Sequence, residues 1–326
     1  LQIINKEKQM EYLKEKWTSE IFTVTLGATE KEGGTRDRIL NIGGQKTLPF
    51  LKTEADIINK PIVAAEVLDF LPEDLWPTFY KEFKDIVNDP LRWIKEIEKF
   101  QPDAICIRLL SCAPDVKNNS KDYLADFIPQ VLKTTKLPLI ILGCGNAEKD
   151  TEILPFVCEL TKGERILVGM AVKENYKTIS ISAFSCRHSV IAETPLDINL
   201  AKQLNILIND AGVPLERIVM HHTTGSVGYG FEYCYSIMER CRLAGLQGDK
   251  VMATPMINLV AEETWKTKEA KATNEEEPSW GEDPIKRGVI WETTTAFGYL
   301  QAGCDILVVS HPESIKMIKK ILKEID

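Results

Sequence analysis

The chain has 326 residues, 44% hydrophobic and 27% charged, which is enough for a sizeable core and excludes disorder as its main state. Its net charge is −8, with Lys and Arg interleaved among Asp and Glu, so it offers no basic stripe to a nucleic acid. Apolar runs such as Leu137 to Leu142 and Ile306 to Val309 fall far short of the roughly 20 residues that a membrane helix needs. The opening Leu1-Gln2-Ile3 runs straight into charged residues without a signal-peptide or transit-peptide pattern, so the expected location is cytoplasmic.

Residues 1–59 differ from the rest. Lys6 to Lys16 is a charged helix candidate. Phe22 to Leu26 and Ile39 to Ile42, joined through Gly33-Gly34, suggest a hairpin, expected to plug the bottom of whatever follows. From residue 60 to 326 the sequence alternates. Strand candidates rich in β-branched residues are Pro61 to Val67, Ala104 to Leu109, Pro138 to Leu142, Arg165 to Val168, Ser189 to Ala192, Arg217 to Met220, Val251 to Met256 and Asp305 to Val309. Segments with a 3.6-residue apolar period lie between them: Pro90 to Phe100, Ser120 to Thr135, Asp150 to Leu160, Asn175 to Cys186, Leu196 to Ala211, Tyr229 to Leu243, Lys286 to Gln301 and Pro312 to Ile325. Ser120 is a natural helix cap, and Thr194-Pro195 places proline at an expected first helical position.

Eight strand–helix units in about 265 residues predict an α/β fold of the (β/α)8 TIM-barrel type with an N-terminal hairpin extension. An open doubly wound sheet is the alternative. It is weaker because Gly143-Cys144-Gly145 follows the third strand and lacks the third glycine of a dinucleotide-binding turn. Lys266 to Pro284, rich in Glu, Lys and Pro around Trp280, is too long for an ordinary connection and is expected to be a contact or gating element outside the barrel core.

Chemistry in such barrels gathers at the C-terminal ends of the strands. Those ends carry Glu66 and Asp69, Arg108, Gly143 to Asn146, Gly169 to Asn175, Thr194 to Asn199, His221 to Gly230, Pro255 to Asn258 and Ser310-His311. No nucleophile with its base is evident, and Glu66 and Glu193 are only two of many acids, so no catalytic residue is assigned. Adjacent strand residues face opposite ways, so His221 and His222 cannot chelate one metal, and a hydrogen-bonding role is expected. The run Thr223-Thr224-Gly225-Ser226-Val227-Gly228-Tyr229-Gly230 leads into a helix. It reads equally as an anion- or amide-binding nest and as a loop whose glycines allow close packing.

The cysteines, at 106, 112, 144, 158, 186, 234, 241 and 304, are scattered and form no Cys-x-x-Cys pair, so no metal site is assigned and buried thiols are expected. The Asp-x-His-x-x-Gly pattern that holds base-off cobalamin is absent at His188, His221, His222 and His311.

Several stretches together resemble one family. They are Leu26-Gly27-Ala28-Thr29, Gly33-Gly34-Thr35-Arg36, Pro195 to Asn199 with Lys202 to Asn209, Gly228-Tyr229-Gly230 with Glu232-Tyr233, Ser236 to Arg240, Leu246 to Lys250, and Gln301-Ala302-Gly303. They resemble, in order from about residue 21 to 312, the small subunit of the corrinoid iron-sulfur protein, the family that supplies the delta subunit of acetyl-CoA decarbonylase/synthase. The resemblance implies a non-catalytic TIM-barrel subunit in a heterodimer of the acetyl-CoA pathway of carbon fixation. A large corrinoid iron-sulfur subunit would hold the cobalamin and the [4Fe-4S] cluster. The expected partners are that subunit, a methyltetrahydropterin methyltransferase and CO dehydrogenase/acetyl-CoA synthase, with the barrel covering the corrin during methyl transfer. The expected corrin-facing residues are Asn199, Thr223, Thr224, Gly225, Ser226, Gly228 and Asn258. His221-His222 stands where relatives carry an acidic residue and proline, which leaves that corner without a carried-over role.

Two other readings stay open. One is a stand-alone pterin-dependent methyltransferase, for which Asp197, Asn199 and Asn258 are the nearest candidates, with capping and loop bonding as their alternative roles. The other is a barrel enzyme acting on phosphorylated metabolites.

Overall fold

A computed structural model describes residues 14–51, 54–281 and 283–324. Most of the Lys6 to Lys16 helix candidate lies outside the described residues. Strands β1 (Thr23–Leu26) and β2 (Leu40–Gly43) pair antiparallel as a hairpin. The chain between them makes a tight turn in which Thr29 and Glu32 cap each other reciprocally. Gly34 is required there, because a Cβ would sit 2.3 Å from the Ala28 carbonyl oxygen.

Eight parallel strands follow: β3 (Ile62–Leu68), β4 (Ala104–Arg108), β5 (Leu139–Leu142), β6 (Leu167–Ala171), β7 (Ser189–Glu193), β8 (Ile218–His221), β9 (Ile257–Leu259) and β10 (Ile306–Val309). From β3 to β8 each strand pairs with the next, and β10 pairs with both β3 and β9. The circle closes where Met220 bridges Met256 and its amide donates to the Pro255 carbonyl at 2.8 Å. The helices are α1 (Pro77–Val87), α2 (Pro90–Glu98), α3 (Lys121–Thr134), α4 (Ala147–Leu160), α5 (Tyr176–Ser185), α6 (Ile198–Asp210), α7 (Phe231–Leu246), α8 (Val260–Thr264), α9 (Lys268–Lys271), α10 (Pro284–Ala302) and α11 (Pro312–Glu324). Strands buried on both faces explain the continuous apolar runs. Ala64, Cys106, Ile140, Leu167, Ile191, Val219, Ile257 and Val308 fill the barrel, while Val63, Ile105, Ile141, Val168, Val190, Ile218 and Leu307 pack outward against the helices.

The hairpin covers the N-terminal end of the barrel. Val24, Leu26 and Ile42 join the interior cluster, the Gly27 amide donates to the Arg165 carbonyl at 2.8 Å, and the Phe22 amide donates to that of Ala253 at 2.7 Å.

Several expected boundaries move. The strand expected at Val251 to Met256 begins only at Ile257, because Asp249 caps a tight turn through the Val251 amide and the chain enters the barrel after Pro255, with Met252 and Ala253 buried beneath it. Short buried apolar runs do not distinguish these outcomes. Thr194-Pro195 does not open a helix: α6 starts at Ile198, where the Asp197 carboxylate accepts from the Asn199 and Leu200 amides. Ser120 does cap α3. Helix α1, with buried Phe79 and Tyr80, has no counterpart among the expected helices.

Part of Lys266 to Pro284 packs against its neighbours. Ala270 is fully buried, its carbonyl accepts from Thr78 Oγ1 at 2.6 Å, and Arg287 Nε donates to the Glu269 carbonyl at 2.5 Å, so α9 is part of the packed wall. Trp280, 36% exposed, lies near the Lys268 and Arg287 cations.

Candidate functional site

Inward alternation carried two residues past Ala64, Cys106, Ile191 and Val219 sets Glu66, Arg108, Glu193 and His221 on the inner face at the C-terminal mouth. Arg108 Nε donates to Glu66 Oε1 at 2.7 Å, and Nη1 lies 2.7 Å from Glu262 Oε2 on α8. Lys266 pairs in turn with Glu262 at 3.0 Å and Glu263 at 3.3 Å. Burial alone would raise the Glu262 carboxyl, but Arg108 and Lys266 outweigh it and hold it at about 2. Glu66, fully enclosed, is raised by burial despite Arg108.

Across the mouth His221 links two elements. Nδ1 lies 3.1 Å from Glu193 Oε1, and Nε2 lies 3.1 Å from Thr224 Oγ1. The Thr224 hydroxyl oxygen also accepts from the Leu259 amide at 2.9 Å, so the ring ties β7 through Thr224 to β9. His222 faces outward, and both of its ring nitrogens are buried without a hydrogen-bond partner. Burial, with His221 nearby, drops it to about 3. The hydrogen-bonding role expected of the pair therefore belongs to the His221 ring alone.

The expected corrin-facing residues divide. Asn199, Thr223 and Gly228 are exposed. Thr223 Oγ1 donates to the Thr194 carbonyl at 3.2 Å and borders a cleft of about 460 Å³ that also takes in Glu193 and Leu200. Gly225 is half-buried, its amide bonded to the Tyr299 hydroxyl at 2.9 Å. Three do not present side chains to the mouth surface. Thr224 is tied into the His221 bridge, and Ser226 is buried 3.3 Å from Thr295 Oγ1. Asn258 lies between inward-facing Ile257 and Leu259 and so turns outward, 1% exposed, toward Thr224 and Cys234.

Of the two readings of the glycine loop, close packing fits this geometry. The Gly225, Val227 and Tyr229 amides are bonded internally, and a Cβ on Gly225 would meet the Gly230 carbonyl carbon at 2.8 Å. The phosphate reading loses its usual site as well. At the turn into α11 the buried Glu292 carboxyl accepts from the Ser310 amide at 2.8 Å, the His311 amide at 3.2 Å and Trp265 Nε1 at 3.2 Å, so the amides a phosphate would use are already taken.

All eight cysteines are unpaired, and only Cys144 is not buried. Among the described residues no three His, Cys, Asp or Glu converge as a metal site, and no helix is long and apolar enough to cross a membrane.

Residues 23–322 match the family described as CO dehydrogenase/acetyl-CoA synthase delta subunit. The chain belongs to that family. It is 34% identical to acetyl-CoA decarbonylase/synthase complex subunit delta 2 of Methanosarcina acetivorans over 94% of this chain and 70% of the relative. It is similarly 32% identical to the delta subunit of Archaeoglobus fulgidus, over 96% and 70%, and 33% identical to that of Methanocaldococcus jannaschii, over 95% and 75%. Among solved structures it is similar to dihydropteroate synthases. That of Xanthomonas albilineans aligns over 88% of this chain and 95% of its own at a TM-score of 0.56 and 12% identity. That of Thermus thermophilus aligns over 93% and 99% at 0.54 and 14%. At that identity the likeness shows the TIM-barrel fold and nothing finer. The delta-subunit resemblance read from the motifs and the barrel read from the strand alternation both stand.

What motif reading missed is the Glu66, Arg108, Glu262 and Lys266 cluster. The signal was a charge at an inward position of two otherwise apolar strands, IVAAEVL and AICIR.

Proposed function

We propose that this delta-family chain is the covering subunit of a corrinoid methyl carrier. In this reading its barrel mouth lies over a cobalamin held mainly by a larger subunit, which also carries the [4Fe-4S] cluster. The methyl group travels from a methyltetrahydropterin methyltransferase to acetyl-CoA synthase, and the barrel limits solvent access to the cobalt.

The observation that carries the proposal is the filled floor of the mouth. The Glu66, Arg108 and Glu262 ion pairs occupy the barrel centre, where a barrel enzyme would hold a whole substrate. Accessible polar groups at this end include Asn199, Thr223 and the Gly228 backbone, with Glu193, Glu262 and Lys266 partly exposed. A broad rim of amides and hydroxyls suits a macrocycle with amide side chains better than it suits a small enclosed substrate. The residues fit a supporting role toward the corrin rather than ligation. His221 is held by Glu193 and Thr224, His188 lies between Thr161 and the Ile166 amide, and His222 and His311 are buried. When bound, the corrinoid would supply the methyl-accepting metal, and this chain's groups would shape the approach to it.

The test is co-expression with a cobalamin-domain partner. The chain alone is expected to show no stoichiometric corrinoid absorbance, and the co-purified pair is expected to show it. Bulk on the rim, Asn199→Trp, should slow methyl transfer in the pair. Stoichiometric corrinoid on the chain alone, or methyl transfer by the chain without a partner, would overturn the reading in favour of a stand-alone methyltransferase.

A further inference from the structure

The net charge of −8 is not spread evenly over the barrel. The eight connections that leave the C-terminal ends of the strands carry −8 among their described residues. Asp69, Glu73 and Asp74 follow β3, Asp197 follows β7, and seven acids stand against three bases from Val260 to Asp283, while the other connections at this end are balanced or uncharged. The seven connections that return to the N-terminal ends carry +2, from Lys136, Arg187 and the surplus of Lys162 and Arg165 over Glu164, set against Asp305. The described residues ahead of β3 sum to zero. At the mouth Glu73, Asp74 and Glu275 are exposed, and none of them forms an ion pair with a described residue. The seven residues of β3 set the two ends roughly 20 Å apart. That is more than twice the screening length of about 8 Å at physiological salt, so whatever approaches the mouth meets the acidic end alone.

We infer that the mouth is an acidic docking face for a protein partner whose facing surface is basic, and that this charge speeds their encounter. The inference rests on the reading of the mouth as the functional face. The sign of the charge selects a basic surface and repels an acidic protein or a nucleic acid. The apolar groups beside the charges select a polypeptide. Leu196, Leu200 and Tyr233 are 39%, 38% and 63% exposed at this end, and Leu200 lines the cleft of about 460 Å³ together with buried Leu204. Small cations would use the acids and leave these side chains in water, whereas a protein surface covers both. Among the described residues no three His, Cys, Asp or Glu converge to hold a metal ion in their place. Exposed rim charges stay hydrated in a complex, so they act on the rate of encounter more than on the strength of the finished contact.

The test measures association of the full chain with the purified corrinoid-carrying partner by stopped flow. The rate constant is expected to fall about tenfold or more between roughly 25 and roughly 300 mM NaCl. Glu73→Lys with Asp74→Lys should slow association about tenfold at the lower salt and hardly at all at the higher. Glu30→Lys with Glu216→Lys makes the same change of net charge on exposed residues at the opposite end, and should alter the rate less than about twofold. Should circular dichroism show the mouth pair unfolded, Glu275→Lys, on the connection after β9, takes its place. A rate independent of salt, equal slowing by the two pairs, or faster association of the mouth variant overturns the inference, the last by identifying an acidic partner. If the corrinoid-bearing pair still assembles in those cases, the covering reading stands and only the basic docking surface falls. If the unaltered chain assembles with the partner at neither salt concentration, both fall.

Discussion

The Arg36–Glu164 pair beneath the barrel and the Arg108–Glu66 pair at its mouth are finished differently. Beneath the barrel, Arg36 Nε donates to Glu164 at 2.7 Å, Nη1 to the Thr135 and Leu137 carbonyls at 3.0 and 3.3 Å, and Nη2 to Thr35 Oγ1 at 2.5 Å and the Leu132 carbonyl at 3.0 Å. Glu164 accepts in addition from the Thr35 amide and hydroxyl at 3.1 and 3.0 Å. At the mouth the corresponding pair, Arg108 with Glu66, keeps one nitrogen and one oxygen unpaired. A buried pair with every donor and acceptor used ties the hairpin to the barrel and offers nothing to a ligand. One left incomplete gives up some stability.

The largest expected effect breaks the sealed end. Arg36→Met leaves Glu164 buried without its main partner and should cost about 3–5 kcal/mol in urea unfolding at pH 7. Arg108→Met should cost less, about 1–3 kcal/mol, because the Glu66 carboxyl is already raised by burial and can take up a proton in place of the lost cation. Its cost should shrink further from pH 7 to pH 5. Equal costs at the two ends would remove the distinction.

The wall beside the mouth comes next. Glu292→Gln turns a carboxylate that accepts from two backbone amides into a group with a donor facing them, at a cost of about 2–3 kcal/mol. Burial raises Glu292 to about 7, so the folded state holds its proton longer than the unfolded state. That contribution to stability is present below about pH 4.5 and is lost as the pH rises toward 7. The deficit of the Gln variant should accordingly be smaller at pH 8 than at pH 5, read from parallel denaturation curves.

His222 sharpens the comparison from the other side of the pH scale. Burial depresses it from 6.5 to about 3, so its contribution is present above pH 6.5 and is lost on acidification. Between pH 6.5 and pH 5 the unaltered chain should lose roughly 2 kcal/mol that His222→Phe does not lose. The smallest effect is expected on the rim. Asn199→Ala, at an exposed position, should leave stability within about 0.5 kcal/mol, so that any change in partner assembly reports on the surface itself.

Much of the fold was legible because its signals are local. Strand–helix alternation announced the barrel, Gly33-Gly34 the hairpin turn, and Ser120 a helix start. Failures came where two local codes competed. At Thr194-Pro195 the proline suggested a helix start, but the Asp197 side chain offered a better acceptor to the first free amides. At Val251 to Met256 an apolar run read as a strand was spent on packing below the barrel.

By itself, then, the sequence determined the barrel, its hairpin and, through ordered motifs, the delta-subunit family. Those properties follow from period, turn chemistry and residue order, all carried along the chain. Only the tertiary structure decided which polar residues face the mouth. Thr224, Ser226 and Asn258 look like surface hydrogen-bonding groups in a row of letters, and the closed barrel turns all three into its wall. The meeting of Glu66, Arg108 and Glu262 was equally undecided until closure, because β3, β4 and α8 contribute one charge each and no local pattern links them. Inward direction is set by the strand's two-residue period, but partnership is set by which strands become neighbours, and that is a property of the closed sheet.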